Sequence, residues 1–284
     1  MSYCSKLRKI LRGVIMRKLF MLIASMMVMA MVVAGCGGGD KKAAPEKKAA
    51  GQKIVIGLDD NFAPMGFRDK DNKIVGLDID LAREACKRAG LTPEFKPIDW
   101  NAKEAEIKSK RIDAIWNCFT VNPDRQKTYG LSKPYLNNSQ MIVVPKGSAI
   151  KSKADLKGKT VGVQVGSTGE YLFTKKDPAF GKELKKMVTH KDFPTLYIDM
   201  DNKRLDAIIA DAVLAYDYAK KKPGKYEVLK DSMSDEVVAV AFRKDDKELI
   251  AKIDKALDEM KKDGTAKKIC EQWLGADMIK YDKK

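Results

Sequence analysis

From Lys53 onward, short apolar runs alternate with amphipathic stretches, and this alternation restricts the chain more than any other feature. The strand candidates are 54–58, 112–116, 140–144, 160–164, 206–210, 226–229 and 237–242. Helical periodicity fills the intervals. In 77–89, Ile79, Ala82, Ala85, Cys86 and Ala89 fall on one face, and Gly90 supplies a C-terminal stop. In 246–262 the face is Leu249, Ile250, Ile253, Leu257 and Met260, closed by Gly264. Strand–helix alternation of this kind predicts an α/β fold with largely parallel sheets. No internal repeat is visible. Two segments read as crossings between lobes: the apolar run 141–144 into the Pro145/Gly147 break, and 234–243. The expected organisation is a discontinuous first lobe, 53–144 plus 237–284, and a continuous second lobe, 145–236.

The start of the chain has a different character. Met16-Arg17-Lys18 precedes about 15 apolar residues, Leu19 to Val33, and then small residues. This is a basic region, an apolar core and a cleavage zone, and it is shorter than the roughly 20 apolar residues of a membrane-spanning helix. Val33-Ala34-Gly35-Cys36 resembles the lipobox of bacterial lipoproteins. That resemblance implies cleavage before Cys36, a thioether-linked lipid on its sulfur, and an acylated new amino terminus; stable anchoring takes two or more chains. Small residues at 34 and 35 let a peptidase grip the backbone, and only a thiol can form the thioether. Residues 1–35 are thus expected to be a lipoprotein signal peptide, with Met16 a better start than Met1. Residues 36–52, rich in Gly, Ala and Lys, have little to bury and read as a flexible tether.

The formal charge is +16, but six of the cations lie in residues 1–35, which contain no acid. The rest is spread as lysines over helix surfaces. No basic face is interleaved with aromatics, so nucleic acid is not an expected partner.

Within the folded part, Asp59-Asp-Asn-Phe62-Ala-Pro64-Met-Gly66-Phe67 and Gly76-Leu-Asp-Ile-Asp80-Leu-Ala resemble the opening of the polar amino acid-binding proteins of ABC importers, solute-binding family 3. The segments 115–125, 131–135, 162–169 and 204–211, then Asp263-Gly264 and Trp273-Leu-Gly275, agree in order and spacing over about 53–276. The resemblance implies a two-lobed periplasmic-binding-protein-like (type II) fold with two hinge strands, closing like a clamshell on one free amino acid. It also implies an ABC permease of the inner membrane as partner and a monomer held to the membrane by its lipid anchor.

A free amino acid carries a carboxylate and an ammonium at fixed separation, and a desolvated cleft must satisfy both. Arg125 suits the carboxylate, because its planar fork gives two parallel hydrogen bonds. The resemblance adds Thr120 to that end. Ser167 and Thr168 follow Gly166 at a helix start, where free N–H groups favour an anion. Asp211 ends an apolar strand and matches the family's acid for the ammonium. Phe62 and Trp100 match aromatic walls around the ligand side chain. Asp59 matches an acid that meets cationic side chains in some relatives, but acids there are common in the family, so a cationic ligand is only weakly favoured and the ligand stays open; Gln164 adds a polar contact. Asn117 and Cys118 stand where many relatives carry small hydroxyl residues or Gly, so this wall of the cleft departs from the family pattern.

Catalysis is not expected. His190 is the single His and sits in a polar stretch read as a connection. No Ser/His/Asp set, metal-ligand spacing or phosphate-binding loop appears, so neither cofactor nor metal is expected. With Cys4 in the removed segment and Cys36 lipidated, Cys86, Cys118 and Cys270 remain. A disulfide between two of them is compatible with an exported protein, and spacing does not choose the pair. The alternative is a lyase or dehydratase on the same fold; it would need a proton-transfer group in the cleft, against the pattern of Thr120, Arg125 and Asp211.

Overall fold

The computed structural model describes residues 51–281. The signal peptide, Cys36 and nearly all of the expected tether lie outside these residues. Twelve strands follow in order: β1 (Gln52–Leu58), β2 (Asn61–Phe62), β3 (Gly66–Arg68), β4 (Ile74–Val75), β5 (Leu91–Pro97), β6 (Ala114–Thr120), β7 (Gly130–Leu131), β8 (Leu136–Pro145), β9 (Thr160–Gln164), β10 (Lys186–His190), β11 (Ala207–Asp211) and β12 (Tyr226–Phe242). Strands β2, β3 and β4 make a small antiparallel sheet. The others form one mixed sheet of order β10-β9-β11-β8-β12-β6-β1-β5, with β7 beside β12.

The sheet is parallel at both ends and antiparallel in the middle. β5, β1 and β6 run parallel, as do β10, β9 and β11. Between them, β8 pairs antiparallel with both β11 and β12, and β12 antiparallel with β6. The expectation of largely parallel sheets therefore fails at the centre, because the chain crosses there once in each direction. The separate strands expected at 226–229 and 237–242 are one 17-residue strand, β12, whose pairing with β8 shifts register between Val228 and Ser234. The candidate 112–116 moves to 114–120: Asp113 stays outside the ladder, its carboxylate accepting from Val55 N at 2.9 Å. β5 and β10 went unread because they are the two edges of the sheet, where Pro93, Pro97 and charged residues are tolerated.

Strands buried on both faces carry continuous apolar runs. Ile142, Val144, Val161, Val163 and Ile209 pack on one face with Leu156, Leu172 and Phe173. Met141, Val143, Ile208 and Ala210 turn to the opposite face, against Leu196, Met200 and Leu214. Around the first lobe, the helix Leu77–Arg88 buries Ala82, Ala85 and Cys86 in the cluster that holds Ile253, Leu257 and Met260 of the helix Lys247–Lys262. Both expected apolar helix faces are thus in the core. Cys86, Cys118 and Cys270 are free, buried thiols. His190 sits in β10 rather than in a connection, its Nε2 2.7 Å from Asp199 Oδ2. Among the described residues no helix is long and apolar enough to cross a membrane.

Candidate functional site

The cleft is built by the ends of four strands. β6 is buried along its whole length and ends in Asn117, Cys118 and Thr120. Its path is fixed from behind by Asp78, whose carboxylate accepts from Cys118 N at 2.7 Å and from Tyr135 Oη at 2.6 Å. Burial pushes the Asp78 carboxyl up to about 7. Cys118 has φ +47°, a left-handed conformation more usual for Gly, so the departure noted in the sequence coincides with an unusual backbone position. Asn117 Oδ1 accepts from Asp59 N at 2.8 Å, tying the ends of β1 and β6 together.

Arg125 lies in the short helix Pro123–Thr128, which starts with Asn122 as cap (its Oδ1 accepts from Arg125 N at 2.9 Å) and Pro123 in the first turn. The guanidinium is buried. Nη1 donates to Thr120 O at 3.0 Å and to Thr168 Oγ1 at 3.5 Å, Nη2 donates to Gly166 O at 3.4 Å, and Cζ stands 4.3 Å from the centre of the Phe119 ring. From the other lobe, β9 delivers Gln164, and the chain turns at Gly166 (φ +68°) into a helix capped by Ser167. Ser167 Oγ is engaged as that cap, accepting from Glu170 N at 3.3 Å. Gln164 Nε2 donates to Asp59 Oδ2 at 2.7 Å, a bond between the two lobes.

One cavity of about 10 Å³ is lined by Phe62, Trp100, Asn117, Cys118, Thr120, Arg125, Gln164, Ser167, Thr168 and Asp211. Asp59 stands next to it through its bond to Gln164. The side chains expected to contact a ligand are therefore gathered in one place. That volume is about one water molecule. Phe62 meets Phe193 edge-on with centroids 5.5 Å apart, and Trp100 meets Phe119 at 6.1 Å.

The structure also adds residues that sequence reasoning missed. Register places Asp211 opposite Gln140, Asn138 opposite Glu236, and Val238 opposite Thr120. Across that row, Asn138 Nδ2 donates to Asp211 Oδ1 and to Glu236 Oε1, both at 2.6 Å; Gln140 Nε2 donates to the same two oxygens at 3.0 and 2.9 Å. Thr120 Oγ1, on the same cavity wall as Arg125, donates to Glu236 Oε1 at 3.0 Å. Two acids thus share two amide groups. Burial raises the Asp211 carboxyl to about 8 and Glu236 in the same direction, each against the partial offset of Arg125. Polar residues at 138 and 140, two apart in a strand otherwise buried on that face, were the available signal. Glu236 gave none: it lies in the expected crossing 234–243, but nothing local marks it as facing the cleft. Lys103 was missed as one lysine among many; it is buried beside the cleft. Among the described residues no three His, Cys, Asp or Glu side chains are grouped to hold a metal.

Two α/β lobes joined by two long crossing strands, with a charged cleft at the junction, define a clamshell binding protein. Residues 54–276 match the bacterial extracellular solute-binding proteins, family 3, and the chain belongs to that family. It is 34% identical over 229 residues to the L-cystine-binding protein TcyJ of Escherichia coli, covering 80% of this chain and 84% of that one. It is 34% identical over 258 residues to the arginine-binding extracellular protein ArtP of Bacillus subtilis, covering 90% and 97%. A crystal structure of an ABC uptake transporter substrate-binding protein from Streptococcus pneumoniae with bound histidine superposes with TM-score 0.77 at 35% identity, covering 81% of this chain and 95% of that one.

Proposed function

We propose that this protein is an extracytoplasmic receptor that encloses one free polar amino acid between its lobes and delivers it to the permease of an ABC importer. One observation carries the reading: Arg125 and Asp211, a fixed cation and an acid, line the same interlobe cavity. In this reading Arg125, with Thr168, takes the ligand carboxylate as the lobes close, and Asp211 takes the ammonium. Ser167 contributes chiefly by shaping the turn, and Thr120 by orienting Glu236. Phe62, Trp100, Asn117, Cys118, Gln164 and Asp59 surround the side chain. Burial raises the Asp59 carboxyl, and a cationic side chain would offset that cost, which favours a ligand of the arginine, lysine or histidine kind.

Pairing of Gln140–Val143 with β11 and of Val238–Phe242 with β6 supports a lobe division near Gln140 on β8 and Val238 on β12. The first boundary then falls a few residues before the expected 144. The receptor acts as a monomer without cofactor, metal or catalytic step, and the lipid on Cys36 with the tether that follows keeps it at the outer face of the cytoplasmic membrane. A thermal-shift screen of the twenty amino acids tests the reading, since ligand at a hundred times its Kd adds about 2.7 kcal/mol. A screen in which none of them raises the Tm refutes it.

A further inference from the structure

Among the described residues several hydrogen bonds span the cleft. Most use side chains that line the amino-acid cavity: Gln164 to Asp59, Arg125 to Thr168 and Gly166, and Asn138 and Cys118 to Asp211. One does not. Lys103 extends from the first lobe, and its Nζ donates to Trp100 O at 3.0 Å and to Gly166 O of the second lobe at 2.9 Å. Neither Lys103 nor Gly166 lines the small cavity; both line an adjoining opening of about 380 Å³ that shares Arg125 and Ser167 with it.

The fit is tight. Lys103 is 8% exposed, its Nζ stands 4.9 Å from the centre of the Trp100 ring, and a Cβ on Gly166 would come within 2.9 Å of that nitrogen. Gly166 reaches its position with φ +68°, which presents its carbonyl to the first lobe. An ammonium brought this deep gains charge-assisted hydrogen bonds to carbonyls and a cation–π contact, but no carboxylate among its hydrogen-bond partners.

We propose that Lys103 is a latch: its amino group fastens the two lobes across the mouth of the cleft independently of the amino acid, and so sets how much of the ligand-free receptor is already closed. The inference rests on the clamshell reading above. A receptor that is part-closed before capture binds more tightly, because the ligand supplies less of the closing free energy. Lys103 is a positioning residue; it does not touch the ligand.

The test compares the full protein with Lys103→Met, which keeps length and packing while removing the donor. Small-angle scattering reads the ligand-free radius of gyration. Calorimetry reads the Kd for whichever amino acid gives the largest thermal shift. The latch predicts a larger ligand-free radius for the variant and a Kd at least tenfold weaker. Equal ligand-free radii overturn the latch, whatever happens to Tm. Absence of binding by the parent protein to all twenty amino acids overturns the clamshell reading itself, and the latch with it.

Discussion

The acids Asp211 and Glu236 offer a sharp test of how the hinge is held. Glu236 Oε1 accepts from Thr120 Oγ1, Asn138 Nδ2 and Gln140 Nε2. In Glu236→Ala each of those three donors loses one acceptor in a buried row, the two amides keeping Asp211 Oδ1. At about 1 kcal/mol each, the low end for an unsatisfied donor, the cost is on the order of 3 kcal/mol. In Glu236→Gln the amide oxygen keeps all three bonds and the second carboxyl disappears. Because an acid raised by burial binds its proton more tightly folded than unfolded, wild-type stability falls as pH rises from the ordinary carboxyl range towards 8. Urea unfolding at pH 5 and pH 8 reads both effects. Glu236→Ala should lower the midpoint by roughly 1–3 M at either pH, for an m-value of about 1–3 kcal/mol/M. Glu236→Gln should match wild type at pH 5 and exceed it at pH 8. If Gln destabilises as much as Ala at pH 8, Glu236 works there as a charge and not as an acceptor, and the reasoning is wrong.

Other outcomes follow from the same geometry. Arg125→Ala should cost about 2–5 kcal/mol of binding, a loss of roughly 30- to several-thousand-fold, with the fold intact; calorimetry showing unchanged affinity would remove Arg125 from the site. Gly166→Ala forces a side chain into the left-handed region at about 1–2 kcal/mol, so the Tm should drop by about 2–8 °C; it also pushes against Lys103 Nζ and should weaken amino-acid binding. Asp263, held down to about 2 by Thr265 and Arg88, contributes stability present above its ordinary value and lost as pH falls from about 4 towards 2. Asp263→Asn should flatten that acid limb in a pH-dependent melt, and an unaltered limb would refute the assignment. Cys36→Ser should release the protein from membranes on fractionation and abolish its labelling by palmitate.

What the sequence made legible was the part governed by periodicity. The apolar face of Leu77–Arg88 and the strands β1, β9 and β11 came directly from 3.6- and 2-residue patterns, because burial on one or two faces writes itself into composition. The cavity residues were legible through short motifs in register. What stayed hidden depends on neighbours distant in the chain. Glu236 is ordinary until register brings Asn138 beside it, and Lys103 is one surface-like lysine until Gly166 offers its carbonyl. His190 reads as a connection until its pairing with Thr160–Gln164 is known to end at Gln164. Pairing partners, unlike faces, are not encoded locally.

The long strand β12 has a consequence for how the molecule is made. The first lobe's sheet is complete only when Val238–Phe242 pair with β6, more than a hundred residues after β6 itself. Its covering helix, Lys247–Lys262, comes later still. The lobe that begins first therefore cannot finish until the second has been synthesised, and its closing contacts are among the most distant in the chain, the kind that form slowly. An emerging chain of this design completes its first lobe only once its C-terminal segments have been made.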